Sequence, residues 1–145
     1  GERIGFIGIH PEYQERSTLM DGLTFCNRTL GFVNAPALMQ HIVSKLQSVT
    51  VNISSYQETR NFLYDNLSDI GYSIVRPGGG FYMFPKTPIP DDIIFVDELR
   101  KHRVLVVPGV GFGMESHFRI SYAVSEQEIR GSLAGFQAAF EKYSS

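Results

Sequence analysis

The stretch "SHFRISYAVSEQEI", residues 116–129, contains a short alternating segment followed by the first residues of a helix. Every second residue of the segment is apolar: Phe118, Ile120, Tyr122 and Val124. This period of two predicts a strand with one buried face, and it places Arg119 on the opposite face. A permanent cation there has two explanations. It is a surface residue of an edge strand, or it holds an anion.

The residues that follow the strand predict the last helix of the chain. Ser125 and Glu128 have the spacing of a capping box, in which each side chain bonds to the backbone of the other residue. The apolar residues beyond them recur at helical spacing: Ile129, Leu133, Phe136, Phe140 and Tyr143. We therefore expect a helix that packs this face onto the sheet.

Other helices are predicted upstream. Residues 54–72 carry a second capping box, Ser55 with Glu58, and Gly71 provides a natural stop. Their apolar stripe consists of Tyr56, Leu63, Leu67 and Ile70. Residues 90–103 begin with acids and end with bases, the order that the helix dipole favours. The patterns also predict helices over 34–47, with Pro36 in the first turn, and over 21–32, and a loop over 10–22.

The strand candidates are short and rich in branched and aromatic residues. They are "RIGFIGI" at 3–9, "YSIVRP" at 72–77, "GFYMFP" at 80–85, "VLVVP" at 104–108 and "HFRISYAV" at 117–124. Helices alternating with about four strands predict an α/β or α+β fold, with helices packed on one face of a small mixed or antiparallel sheet. The plausible boundary is at residues 48–55, between two helices.

Composition limits the class of protein. The chain has 145 residues, a formal net charge of -2 and 43% hydrophobic residues, which suits one domain or a piece of a larger one. A single cysteine, Cys26, leaves no intrachain disulfide and indicates a reducing compartment. Without a basic stripe or a long apolar run, we expect no nucleic-acid partner and no membrane. The opening "GERIGFIGI" reads as a strand already under way, so we expect a fragment.

Few residues stand out as chemical candidates from pattern alone. The four histidines, at 10, 41, 102 and 117, lack metal-ligand spacing, so no metal site is expected. The glycines at 78–80 and 109–113 are typical of turns. Arg3 and Arg119 remain, because each lies in or beside a predicted strand and a guanidinium binds carboxylate or phosphate through two hydrogen bonds at once.

The order of motifs along the chain adds a resemblance. "GERIGF", "FVNAPALMQ", "LYDNLSDIGYSIVRPGGGFYMFPK", "LVVPGVGFG" and "FRISYAV" follow one another over essentially all residues. Together they resemble the C-terminal portion of class I/II aminotransferases, which are fold-type-I enzymes dependent on pyridoxal phosphate. The likeness is greatest to the aspartate-aminotransferase-like branch.

The resemblance implies roles for particular residues. Arg3 matches the family's arginine that binds the cofactor phosphate, and Arg119 matches the arginine that holds the substrate α-carboxylate. Asn34 matches a loop near the active site at the dimer interface. Gly111 would shape the substrate pocket through its lack of a side chain.

The resemblance also implies an architecture. Residues 1–52 would be the tail of the large cofactor-binding domain, and residues 53–145 the small C-terminal domain of a fold-type-I enzyme. The Schiff-base lysine would lie upstream of Gly1, so no catalytic residue is expected in this chain, and the chain alone should be inactive. The complete enzyme would be a cytoplasmic homodimer acting on amino acids and 2-oxo acids.

Two other functions stay open at this point. The same fold can run a C–S lyase reaction, since one scaffold hosts several chemistries. A free-standing α/β ligand-binding module is the alternative from a different class.

Overall fold

The division of the chain lies between Val51 and Asn52 in the computed structural model, which describes residues 3–144. The two units are Gly1–Val51 and Asn52–Ser145. The boundary predicted from sequence was between residues 52 and 53. The assignment of the units to domains of a larger enzyme stays a prediction.

The first unit contains two helices, α1 (Arg16–Thr29) and α2 (Ala37–Lys45). Helix α1 begins inside the segment predicted as a loop, five residues before the predicted start. The strand predicted for "RIGFIGI" is wrong, because residues 3–10 are irregular. A strand needs a neighbour for its N–H and C=O groups, and residues 3–51 contain no strand to pair with.

The first unit leaves many apolar side chains exposed. Neither of its helices buries a residue, and the side chain of Phe6 is 96% exposed. Phe25, Phe32 and Val49 are exposed as well. Apolar surface of this extent is typical of a segment that packs against other protein.

The second unit is built on a small antiparallel sheet. Its strands are β1 (Tyr82–Met83), β2 (Val107–Pro108) and β3 (Phe118–Ser121), and β3 lies in the middle. Tyr82 pairs with Ser121, and Val107 pairs with Arg119. A strand at 72–77 was expected, but these residues are irregular. One backbone hydrogen bond, from Lys86 N to Ser73 O, connects this segment to the chain beyond β1.

Three helices cover this sheet, namely α3 (Ile53–Ile70), α4 (Asp92–Lys101) and α5 (Glu126–Tyr143). The capping box at Ser125 and Glu128 is confirmed. The box predicted at Ser55 is wrong, because Asn52 caps α3 by accepting a hydrogen bond from Ser55 N. Gly71 ends α3 as predicted, with a φ of 116° that a side chain would strain.

The core of the second unit surrounds Tyr72. Its ring contacts the edges or faces of Phe95, Phe118 and Phe136, and its hydroxyl donates to the carbonyl oxygen of Phe136 at 2.9 Å. Burial raises the pKa of Tyr72, so the phenol keeps the proton that it donates. Helix α3 adds Leu63 and Leu67, both fully buried. The apolar stripes predicted for α3 and α5 are therefore the faces that build this core.

Helix α5 approaches the segment before β2 unusually closely at Gly135. A Cβ atom at this position would lie 2.7 Å from Val104 Cγ2 and 3.1 Å from His102 Cβ. Since real Cβ atoms do not come so close, glycine is what permits the contact. The approach brings Phe136 and Ala139 onto the core, where both are buried.

A buried carboxylate connects α4 to α5. Glu98 is only 6% exposed, and its Oε2 accepts from Lys101 Nζ and Lys142 Nζ, each at 2.8 Å. His102 Nε2 lies 3.6 Å from the other carboxylate oxygen. The two lysine hydrogen bonds lower the pKa of Glu98 from 4.5 to about 2. The ionised form is therefore the one that the fold stabilises.

We expect Glu98→Gln to destabilise the protein and to reduce the loss of unfolding free energy as the pH falls. A carboxyl with a lowered pKa stabilises the fold fully above its unfolded pKa, and the contribution is lost as pH falls from about 4.5 towards 2. Urea unfolding measured across that interval should show a smaller fall of the unfolding free energy in the variant. Glu126→Gln, at an exposed ion pair with Arg130, is the control. Identical pH profiles for Glu98→Gln and the unaltered chain would contradict this role of Glu98.

Candidate active site

Arg119 occupies the face of β3 that turns away from the core. Its neighbours Phe118 and Ile120 are buried, whereas Arg119 itself is half-buried. The alternation that predicted the strand is confirmed for these residues, and the arginine is in the central strand of the sheet rather than at its edge. The edge-strand explanation for Arg119 is therefore wrong.

Two aromatic rings hold the Arg119 guanidinium between them. Its Cζ atom lies 4.4 Å from the centre of the Tyr82 ring and 4.2 Å from that of Phe112. A guanidinium is attracted to the negative face of a ring and can stack flat against it. Neither contact is a hydrogen bond, so both leave the N–H groups of the fork available.

The strand register explains how Tyr82 reaches this position. Tyr82 pairs with Ser121, which lies two residues after Arg119 and therefore on the same sheet face. Phe112 comes from the 3-10 helix Gly109–Phe112, which directly follows β2. Neither aromatic residue was predicted as part of the site. Both residues are visible in the sequence, but their convergence on Arg119 follows only from the pairing of β1 with β3 and from the 3-10 helix after β2.

The charge of Arg119 is not neutralised within the described part of the chain. No carboxylate of residues 3–144 lies within 4.0 Å of its nitrogens, although lysines and other arginines form four ion pairs in the same range. A guanidinium that is half-buried and has no carboxylate partner among these residues can bind a carboxylate or phosphate group through two hydrogen bonds.

The segment 109–113 is held by a tight glycine contact. A Cβ atom at Gly109 would collide with the carbonyl oxygens of Met114 and His117. Asp92 Oδ2 accepts from Val110 N at 2.7 Å, which fixes the segment from α4. Gly111, the glycine predicted to shape the pocket, is exposed, and no atom of the described residues would contact a Cβ there within 4 Å. Packing therefore requires glycine at 109, while Gly111 faces open space.

The glycine segment 78–80 is held by Tyr122, the residue that directly follows β3. The hydroxyl of Tyr122 donates to the carbonyl oxygen of Gly80 at 2.9 Å. Burial raises the pKa of Tyr122, so this donor stays protonated. The bond holds the residues that precede Tyr82.

The first unit brings Arg3 and Asn34 to one cavity. Both residues line a space of about 690 Å³ together with residues 4–7 and parts of α1. Arg3 is exposed and, across residues 3–144, has no carboxylate within ion-pair distance. Arg3 and Asn34 thus share a site in this unit, whereas Arg119 and Gly111 belong to the other.

No helix of residues 3–144 is both long and apolar enough to cross a lipid bilayer.

Comparison with known proteins identifies a family. Residues 1–135 match the family model "Aminotransferase class I and II". The aspartate/prephenate aminotransferase of Thermus thermophilus is 39% identical over 84 residues, which is 57% of this chain and 22% of that protein. The probable aspartate aminotransferase of Methanocaldococcus jannaschii is 26% identical over 151 residues, which is 97% of this chain and 39% of that protein.

Solved structures agree with the sequence comparison. The crystal structure of an amino transferase from Eubacterium rectale superposes with a TM-score of 0.89 at 36% identity, covering 100% of this chain and 36% of that one. The chain thus spans between about a fifth and two fifths of the length of these relatives. The family match extends over nearly the whole sequence, and on this evidence the chain belongs to the class I and II aminotransferases.

Proposed function

We propose that this chain is part of a pyridoxal-phosphate-dependent aminotransferase, which transfers an amino group from an amino acid to a 2-oxo acid. The observation that carries the proposal is Arg119, a half-buried cation held between two rings without a counter-ion among the described residues. Relatives named as aspartate or aspartate/prephenate aminotransferases support the reaction class. Because the chain spans less than half of each, the activity is proposed for the complete enzyme.

The cationic residues of the chain fit an anionic cofactor and an anionic substrate. Pyridoxal phosphate supplies an electron sink for the amino acid's α-carbon when it is bound. Arg3 would hold its phosphate, since the guanidinium is exposed beside a cavity and unpaired among residues 3–144. Asn34, on the same cavity, would add a polar contact near the ligand. Both roles rest on the family resemblance together with this placement.

Arg119 would bind the α-carboxylate of the substrate. Two N–H groups of the fork can meet the two carboxylate oxygens, which fixes the direction of the carboxylate as well as its place. The contacts with Tyr82 and Phe112 would restrict the movement of the guanidinium, and with it the orientation of the substrate's α-carbon. Orientation of this kind lowers the barrier because it is established before the reaction begins.

Gly111 would leave room for the substrate beside Arg119. An added Cβ would meet open space there, and that space is available to a ligand as well. The chain itself would provide binding and orientation, and the proton-transferring lysine expected by resemblance would come from residues upstream.

The exposed apolar residues of the first unit support its assignment to a larger domain. Phe6, Phe25 and Phe32 are exposed by 70% or more, a surface that further protein would cover. We infer that residues 1–52 belong to the cofactor domain and residues 53–145 to the small domain. We further propose that the complete enzyme is a homodimer in the cytoplasm.

The reaction class can be tested with the complete enzyme and an amino-acid donor. We expect amino transfer that stops when the 2-oxo acid acceptor is omitted, because an amino group taken from the donor needs an acceptor for turnover to continue. The measurement is formation of the new amino acid by chromatography. Sustained release of pyruvate and thiol from a cysteine conjugate without acceptor would instead identify a C–S lyase.

Arg119→Lys in the complete enzyme should lower kcat/KM for the amino acid by about 10- to 100-fold, because the charge remains while one charge-assisted hydrogen bond is lost. The absorbance of the bound cofactor should not change. Arg130→Lys is a matched control, since Arg130 also lies over a ring, that of Phe62, at 4.3 Å. Equal kinetics for the Arg119 and Arg130 variants would contradict the assignment.

Arg3→Ala should loosen the cofactor instead of the substrate. Loss of hydrogen bonds from a charged donor predicts a rise of about 10-fold or more in the dissociation constant of pyridoxal phosphate. Dialysis followed by absorbance titration measures it, with Arg16→Ala as an exposed control in the same unit. Unchanged cofactor affinity in Arg3→Ala would remove Arg3 from the phosphate site.

A further inference from the structure

Arg60 and Arg76 both donate hydrogen bonds to one uncharged oxygen, near the start of the glycine segment 78–80. Arg60 donates to Asn61 Oδ1 from Nε at 3.1 Å and from Nη2 at 2.9 Å. Arg76 donates to the same oxygen from Nη2 at 2.8 Å. An amide oxygen has two lone pairs, so three N–H groups from two cations exceed its ordinary capacity. The arrangement concentrates positive charge around an acceptor that cannot neutralise it.

Both side chains are anchored by further contacts. Arg60 Nη1 donates to the carbonyl oxygen of Pro77 at 3.2 Å, and the Arg76 guanidinium lies over the Tyr64 ring at 5.5 Å. Arg60 and Asn61 are half-buried. Since both Nη2 atoms contact one oxygen, they are no more than about 6 Å apart, a separation at which two like charges repel.

No counter-ion offsets this repulsion within the described chain. Over residues 3–144, no Asp or Glu oxygen comes within 4.0 Å of the nitrogens of Arg60 or Arg76. Arg60 uses three of its five N–H groups in the bonds above, and Arg76 uses one. The remaining N–H groups can donate to a ligand that carries negative charge.

We propose that Arg60 and Arg76 form a binding site for a small oxyanion, a phosphate or carboxylate group, with Asn61 as the residue that positions them. Paired guanidinium forks suit these anions because each oxygen can accept charge-assisted hydrogen bonds from both. The site does not include Arg119. It lies where α3 meets Pro77, at the opposite end of segment 77–82 from Tyr82. The proposal does not depend on the proposed enzymatic reaction.

The first test is a titration of the 145-residue chain, labelled with ¹⁵N at its arginines, with inorganic phosphate at constant ionic strength. The chain has nine arginines, and their Nε–H signals can be assigned by substitution. We expect the signals of Arg60 and Arg76 to shift together and to saturate with a dissociation constant of about 1–10 mM. Arg76→Gln should weaken the response of Arg60 by about 10-fold or more, because one of the two cations is lost. Arg130→Gln should leave it unchanged.

Variants of Asn61 separate a binding role from a merely structural one. Asn61→Asp places a carboxylate between the two cations, so it should raise the thermal midpoint and abolish the phosphate response. Asn61→Leu removes the acceptor that gathers the arginines and should weaken the response without adding charge. If the hydrogen bonds of Asn61 were merely structural, Asn61→Asp would not be expected to raise the thermal midpoint while it abolishes the phosphate response.

A second arm uses the complete enzyme with its cofactor bound and identifies the source of the anion. A phosphate-dependent rise of the thermal midpoint that Arg76→Gln abolishes would support a free oxyanion ligand. A thermal midpoint that Arg76→Gln lowers without phosphate, together with no phosphate response in the unaltered enzyme, would support a carboxylate supplied by the enzyme's other residues. The proposal is overturned if phosphate shifts neither signal in the chain, or if Arg76→Gln and Arg130→Gln behave alike in both proteins.

Discussion

The alternation of β3 sets both the core and the candidate site of the second unit. Phe118 and Ile120 point into the core, and Arg119 between them must take the other face because successive strand residues alternate. A shift of register by one residue would bury the arginine and expose Phe118. Burying an unpaired guanidinium costs free energy, so the shifted register is unfavourable. In the observed register Phe118 packs against Tyr72, so the packing of the core favours the same register.

The helices of the second unit could be predicted because the sequence signals for their ends lie within a few residues of one another. Gly71 has the left-handed conformation expected of a helix stop, and the Ser125–Glu128 box needs only a spacing of three residues. The start of α3 was missed because Asn52 is as good a cap as Ser55, and only the backbone conformation decides between them. Strand length was overestimated because ladders depend on partners that are distant in sequence. Residues 72–77 have strand-like composition, but the sheet ends at β1.

Part of the candidate site could be predicted from the sequence pattern, and the rest depends on how distant segments pair. Arg119 was a candidate from its position in an alternating strand, and the role proposed for it rests on the family resemblance carried by the order of the motifs. Tyr82 and Phe112 were not candidates, since an aromatic residue at either position is equally typical of a core. Arg60 and Arg76 are 16 positions apart and were not singled out, because only the turn after α3 brings them to one oxygen.

Holding Arg119 between rings has a consequence for exchange of ligands. An arginine positioned by an internal carboxylate would have to break that ion pair each time it received another anion. The rings of Tyr82 and Phe112 contact the guanidinium without occupying its N–H groups, so one bound anion could be replaced by another while these contacts persist. A reaction in which two carboxylate-bearing molecules bind in turn at one position would benefit from a binding group that does not rearrange between the two.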